Sequence, residues 1–270
     1  MSIILEYSYQ ILLRSRCHPT VEASFDLTDL PGSRVQLPRL SGSCCSIAAF
    51  MANSHLSKSL VGLERGQEEF DHAYSDCAQY GRVSFWDEMY ANETEPFEWY
   101  YPYHCFRAQI RKVLSTNQRI LVAGCGSSNF LEDMATDGFE QLEGCDFSRV
   151  ALNQMRARCS DLPQIKLHLA NLTDTDFPNE HFQGIIDKAV FDSILCTEDG
   201  ATKVRQYINE VERMLTDTGV FILISHNNPE EMLKYLEQYD IDEPYYSPWT
   251  IEVQTLSKAA SFLHCQLAIM

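Results

Sequence analysis

This sequence is short of basic charge. Its 270 residues carry 21 Lys and Arg against 38 Asp and Glu, a formal net charge of −17, with a pI near 4.8. Nucleic acid and anionic membrane surfaces both need a cationic face, so neither is an expected partner. Long apolar runs are missing as well, and none approaches the roughly eighteen residues needed to span a bilayer. Ten cysteines are present, but there is no CxxC pair and no regular spacing. That argues against a disulfide framework and for a reduced compartment, the cytoplasm, with the mitochondrion as the alternative. Cys17-His18 and Cys44-Cys45 have no second spaced pair, so no metal site is expected.

A chain of 270 residues can bury a full core, and one large domain with an extension is the natural division. Residues 1–75 read as an N-terminal extension, poorly ordered or loosely docked, because residues 31–58 are rich in Ser, Gly and Pro and carry few charges. Met1 to Leu13 is apolar enough for a strand or short helix, and Arg14 and Arg16 follow it. Glu6, Glu22, Asp26 and Asp29 argue against a mitochondrial presequence there. Residues 76–270 are the expected domain.

What the domain does have is the run Arg119 to Phe130, RILVAGCGSSNF. It reads as a strand buried on both faces, a glycine turn and the start of a helix. Gly124 and Gly126 allow a tight turn and the close approach of a ligand. Ser127 and Ser128 can cap the helix, whose free N–H groups then point at the turn. Asp146 ends the next apolar stretch, Leu142 to Cys145, at the position of a carboxylate that grips a ribose hydroxyl. Asn129 stands where a dinucleotide fold has Gly or Ala, and the shorter GxGxS form belongs to S-adenosylmethionine (SAM) binding. Read in isolation, the glycine pair is equally a plain tight turn.

Strand and helix patterns then alternate. Phe106, Ile110, Val113 and Leu114 share a helix face ahead of the glycine strand. Ser148 caps a helix carrying Ala151, Met155 and Cys159. Residues 165–169, 182–186 and 220–224 read as strands, with helical spacing through Val204, Tyr207, Ile208, Val211, Met214 and Leu215 and a turn at Gly219. Asn228-Pro229 opens a helix with Met232, Tyr235, Leu236 and Tyr239. Residues 250–255 and 262–269 are too close for a helical crossover and should pair as an antiparallel hairpin. Ahead of the glycine strand, residues 85–90 and 96–101 concentrate aromatics and acids. These rings either pack a helix onto the sheet or wall a site for a cation.

Trp86-Asp87…Tyr90, Phe97-Glu98-Trp99-Tyr100, the Ile120–Ser128 run, Phe177-Pro178…Phe182 and the Asp187–Leu195 run occur together and in order. This combination resembles the eukaryotic lysine methyltransferases that act on elongation factor 1-alpha and on mitochondrial citrate synthase. The similarity runs from about Tyr80 to about Ser225. It implies an α/β, Rossmann-like class I methyltransferase fold, a mainly parallel seven-stranded sheet with a C-terminal antiparallel hairpin and helices on both faces. It also implies SAM as cofactor and a protein substrate, such as a basic translation factor. By the same resemblance Gly124, Cys125 and Gly126 would lie under the methionine part. Asp146 would hold the ribose with Phe147 beside it, and Asn171 and Leu172 would border adenine. Asp187 would sit beside the methyl-transfer point, and Trp86, Trp99 and Tyr100 would wall the channel. From the chemistry of the transfer, which needs a neutral amine aligned with the methyl group, Asp187, Glu98 and Asp192 are expected to position the amine.

The family has an acid where Asn171 stands; its amide oxygen can accept from the adenine amino group without the charge-assisted component. The DKGT-type run is Asp187-Lys188-Ala189-Val190 here, without the Gly and the hydroxyl. Lys188 reads as a structural ion-pair partner. Asn227 to Glu230 follows the fifth strand and reads as a helix cap. Two rival readings stay open: a methyltransferase for a small amine or metabolite, lidded by residues 1–75, and a catalytically weak SAM-binding or interaction protein.

Overall fold

The computed structural model describes residues 7–15, 78–93, 95–236 and 249–257. Five strands make a parallel sheet in the order β4-β3-β2-β5-β6: β2 (Arg119–Ala123), β3 (Gln141–Asp146), β4 (Ile165–Leu169), β5 (Phe182–Lys188) and β6 (Leu215–Ser225). β2, β3, β5 and β6 alternate their side chains between two cores, while β4 is wetter, with Lys166 and Leu169 exposed. Ile120, Val122, Ile186, Ile222 and Ile224 face one, with α2 (Arg107–Val113), α3 (Phe130–Thr136) and α4 (Arg149–Arg158) supplying Ile110, Met134, Leu152 and Met155. Leu121, Ala123, Ile185, Phe221 and Leu223 face the other, under α5 (Val190–Leu195), α6 (Gly200–Met214) and α7 (Pro229–Leu236). Burial on both faces is why β2 and residues 220–224 of β6 read as unbroken apolar runs. On α6 the expected stripe is complete: Val204, Tyr207, Ile208, Val211 and Met214 are all fully buried, each adding about 1.5–3 kcal/mol.

Leu215 does not continue that helix but starts β6, paired with Phe182. The register then steps to Gly184 against Val220, so residues 216–219 loop out of the ladder where a turn at Gly219 was expected. α1 (Val83–Asn92) precedes the sheet and packs on α4; Gln154 Nε2 donates to the carbonyls of Tyr90 (2.6 Å) and Glu93 (3.3 Å).

Two antiparallel pairings continue the sheet past β6. β1 (Tyr7–Ser15) runs from Tyr9 opposite Ser225 to Arg14 opposite Val220, and β7 (Trp249–Ser257) pairs with the other side of β1. The neighbour of β7 is thus an N-terminal strand, drawn from the segment read as an extension. The hairpin's second strand at 262–269, Tyr239, and Cys17-His18 and Cys44-Cys45 lie outside the described residues. Among the described residues, no helix is long and apolar enough to cross a membrane.

Strand order reverses between β2 and β5. Their carboxyl ends, Ala123 paired with Asp187, open the crevice in which such sheets bind ligands.

Candidate functional site

The turn after β2 is built by Gly124 (φ +56°) and Gly126 (φ +53°), both left-handed. A Cβ on Gly124 would come within 2.1 Å of Val190 Cγ2, and one on Gly126 within 2.5 Å of the Tyr90 hydroxyl. The close approach that demands glycine is therefore made first by the chain's own side chains, where a ligand was expected. The two serines are similarly engaged. Ser128 Oγ accepts from Phe130 N and donates to Glu98, while Ser127 Oγ accepts from Phe97 N. Glu98 Oε1 also accepts from Asn129 N at 2.8 Å. A carboxylate from the aromatic segment, not a ligand, thus meets the start of α3, and Glu98 is engaged there and not at the amine-positioning role expected of it.

Over the switch point lies a cleft of about 390 Å³. Gly124, Asp146, Phe147 and Lys188 form its strand-end floor, and Ala170 to Thr173 one side. Val190, Ser193 and Thr197 bound it from the α5 side, with Lys203 at the start of α6. Tyr80, Trp86, Tyr90 and Trp99 complete the wall. Of the residues singled out from sequence, the cleft gathers Trp86, Trp99, Gly124, Asp146, Phe147, Asn171 and Leu172. Cys125, Gly126, Tyr100, Glu98, Asp187 and Asp192 stand behind it. Cys125 is buried, its N–H on Cys145 O, and burial pushes its thiol well up.

The aromatic rings pack against one another and line the cleft. Trp86 and Trp99 meet at 5.6 Å and 60°, and Tyr80 stands perpendicular to Trp99 at 6.3 Å. Rings in mutual contact leave no gap for a cation between them, so they pack with one another while turning a face to the cleft. Trp86 Nε1 donates to Tyr80 O, tying the rim to α1.

Asp146 is 5% exposed. Its Oδ2 accepts from Gly126 N (2.9 Å) and its Oδ1 from Ser148 N (2.8 Å). Burial pushes it up to about 6, against those backbone N–H groups, which favour the charge, and with Asp87, which opposes it. Each oxygen keeps a lone pair for a hydroxyl of a vicinal diol. Asn171 behaves differently from expectation. Its Oδ1 already accepts from the Thr173 N–H (3.2 Å) and hydroxyl (3.0 Å), so the amide offers its NH2 group and not an acceptor for adenine. A buried diol acceptor, aromatic faces and an apolar Ala170/Leu172 side fit a nucleoside carrying a cationic sulfonium.

Asp187 and Asp192 have other work. Asp187 is fully buried and accepts from Val190 N, Phe191 N and Tyr207 Oη at 2.8–2.9 Å, capping α5. Asp192 accepts from Tyr100 Oη on one oxygen, and from Ser225 Oγ and Asn227 Nδ2 on the other. Burial, with Asp192 nearby, pushes Asp187 up to about 7, and burial pushes Asp192 up to about 6. Neither lines the cleft. Tyr100 serves the same inner network: its φ is +62° and its ring stacks on His226 at 3.9 Å.

Sequence reasoning missed Tyr80, Thr197 and Lys203, which no motif marks, and Ser193, which lies in the Asp187–Leu195 run but was given no role. It also left Lys188 out of the site. Lys188 lines the cleft, Nζ donating to Glu98 Oε2 (2.8 Å) and Trp99 O (2.9 Å). Burial lowers its pKa and Glu98 raises it.

Residues 114–260, more than half of the chain, match the family described as methyltransferase domain. The mouse EEF1A lysine methyltransferase 4 is 28% identical over 194 residues, covering 68% of this chain and 74% of that protein. The bovine eEF1A lysine and N-terminal methyltransferase is 29% identical over 143 residues, covering 52% of this chain and 20% of that one. Haemonchus contortus phosphoethanolamine N-methyltransferase 1, solved with phosphoethanolamine and S-adenosylhomocysteine, shares 14% identity over 54% of this chain and 32% of its own, with a TM-score of 0.42. The chain belongs to the methyltransferase domain family, and the protein is a SAM-dependent methyltransferase.

Proposed function

We propose that the protein transfers a methyl group to the ε-amine of a lysine in a protein substrate. The observation that carries this is the match to three quarters of a lysine methyltransferase named for a translation factor, EEF1A. A net charge of −17 suits a basic partner.

SAM supplies a methyl group on a sulfonium, already a strong electrophile. The chain's residues then have to bind, align and keep water out. Asp146 would hold the ribose diol, with Phe147, Ala170 and Leu172 along the base. Lys188 spends two of its three N–H groups on Glu98 and Trp99 O, leaving one for a carboxylate on the ligand. Trp86, Trp99 and Tyr80 would cover the reacting end. Among the described residues Asp146 is the one carboxylate on the cleft, so no general base stands ready and the amine must arrive neutral. The rate of transfer is then expected to rise about tenfold per pH unit toward the lysine pKa near 10.4; a plateau near neutrality would expose a hidden base. Labelled SAM with an extract, followed by separation of proteins from metabolites and residue analysis, tests the acceptor. Label in the small-molecule fraction alone would establish the metabolite reading instead.

A second reading, a SAM-binding protein with weak transfer, draws on Ala189 and Val190. Ala189 is held at φ +79°, and Val190 covers Gly124. SAM binding with no transfer to any acceptor would favour it.

The fuller architecture belongs to the same proposal: a seven-stranded class I sheet with a C-terminal hairpin, in a domain over residues 76–270 preceded by the extension. Deletion of residues 1–16 decides how firmly the extension docks. A large fall in melting temperature is expected, because β1 pairs with β6; an unchanged melt would mean loose docking. Cytoplasmic residence rests on cysteine usage, and fractionation against mitochondria tests it.

A further inference from the structure

Asp87 does not line the cleft, yet it is wired to the residue that would hold the cofactor. Ser148 Oγ donates to Asp87 Oδ1 at 2.5 Å and accepts from Ala151 N at 3.2 Å, as the cap of α4. Ser148 N donates to Asp146 Oδ1. The run is therefore Asp87, Ser148, Asp146, and it joins α1 to the tip of β3 through a single hydroxyl. α1 also carries Trp86 and Tyr90 into the cleft wall.

We propose that Asp87 is a positioning residue for Asp146: through Ser148 it fixes the carboxylate that grips the ribose and sets the pH at which that grip is lost. This rests on the reading of Asp146 as the ribose anchor. A diol donates two hydrogen bonds, so Asp146 serves it best when ionised. The titratable groups that face it are all acids: Asp87 and Tyr90 on α1, Cys125 in the glycine turn and Cys145 beside it on β3. Burial keeps the Tyr90 phenol and the two thiols in their neutral forms, so the charge that resists ionisation of Asp146 is that of Asp87, and the backbone N–H groups of Gly126 and Ser148 oppose it. Removing one negative charge from α1 should let Asp146 stay ionised to a lower pH.

The test is calorimetric titration with S-adenosylhomocysteine from about pH 5 to about pH 8, on the full chain and its Asp87→Asn, Asp87→Glu, Ser148→Ala and Asp146→Asn variants. Affinity of the parent protein should fall below about pH 6. In Asp87→Asn that fall should move down by at least about half a pH unit, with affinity at the upper end changed less than about threefold. Asp87→Glu, which keeps the charge, should restore the parent profile. Ser148→Ala should weaken binding by about tenfold across the range, since position and not charge is lost. The carboxyl-carbon resonance of Asp146 in free Asp87→Asn protein should titrate lower by the same amount. An unmoved midpoint and an unmoved resonance, with Asp146→Asn binding poorly, overturn the proposal alone. Undiminished binding by Asp146→Asn removes the ribose reading and this proposal with it.

Discussion

Asp146 ends β3 and Asp187 is the last residue but one of β5, strands that flank β2 on either side, and the two acids are one residue apart in register, Ala123 lying against Cys145 and against Asp187. Both are buried, and burial raises both. Asp146 spends its oxygens on two backbone N–H groups and keeps lone pairs for the cleft. Asp187 receives three donors from α5 and α6 and lies behind the floor. Being an acid at the tip of a parallel strand is thus no assurance of touching ligand. What differs is how much of the carboxylate the chain takes up: the turn after Asp146 sends Ser148 N to one oxygen, whereas the turn after Asp187 brings Val190 N and Phe191 N onto both oxygens and Tyr207 Oη adds a third donor.

The largest effect that would break this contrast is on folding. Asp187→Ala leaves Val190 N, Phe191 N and Tyr207 Oη without their acceptor, and a loss of about 3 kcal/mol is expected in denaturant unfolding. A variant as stable as the parent, with lost cofactor affinity, would put Asp187 back in the site. Asp146→Ala should show mainly in binding, with affinity for S-adenosylhomocysteine down by about a hundredfold and a smaller loss of stability than in Asp187→Ala, since two backbone donors lose their acceptor in place of three; a loss of stability without a binding defect would contradict it.

pH sharpens the contrast. Asp187 lies near 7 and Asp192 near 6 in the folded protein, both above the ordinary 3.8. An acid raised by folding stabilises the fold fully below its ordinary value and loses that contribution as pH rises through the folded value. Unfolding free energy should therefore fall between about pH 4 and pH 7, and Asp187→Asn should flatten the fall. A parent profile with no slope in that window would remove the buried-acid account.

The smallest effect concerns Ala189, held in the left-handed region by the turn that brings α5 onto Asp187. Ala189→Gly relieves about 1 kcal/mol of backbone strain, offset by glycine's greater freedom when unfolded, for a net gain of about 0.5 kcal/mol. A loss of stability would show that the alanine methyl packs better than it strains.

Patterns spanning a few residues carried most of the fold. The buried strand at 119–123, the cap at Ser148 and the apolar stripe on α6 were legible because burial and helical period act on neighbouring residues. So was the cleft floor at Gly124 and Asp146, where a turn and a strand tip suffice. The partners of the polar groups were not legible. Ser128 and Glu98 lie 30 residues apart, Tyr100 and Asp192 lie 92 apart, and nothing local says that they meet.

The sequence by itself determined the alternating α/β layout, the glycine turn and the family resemblance, because each is written in short-range spacing. Only the tertiary structure decided which acids face the cleft, that Glu98 meets the start of α3, and that β1 lies beside β6. Those outcomes depend on which distant segments the folded sheet brings together, and on the need of every buried charge for a partner.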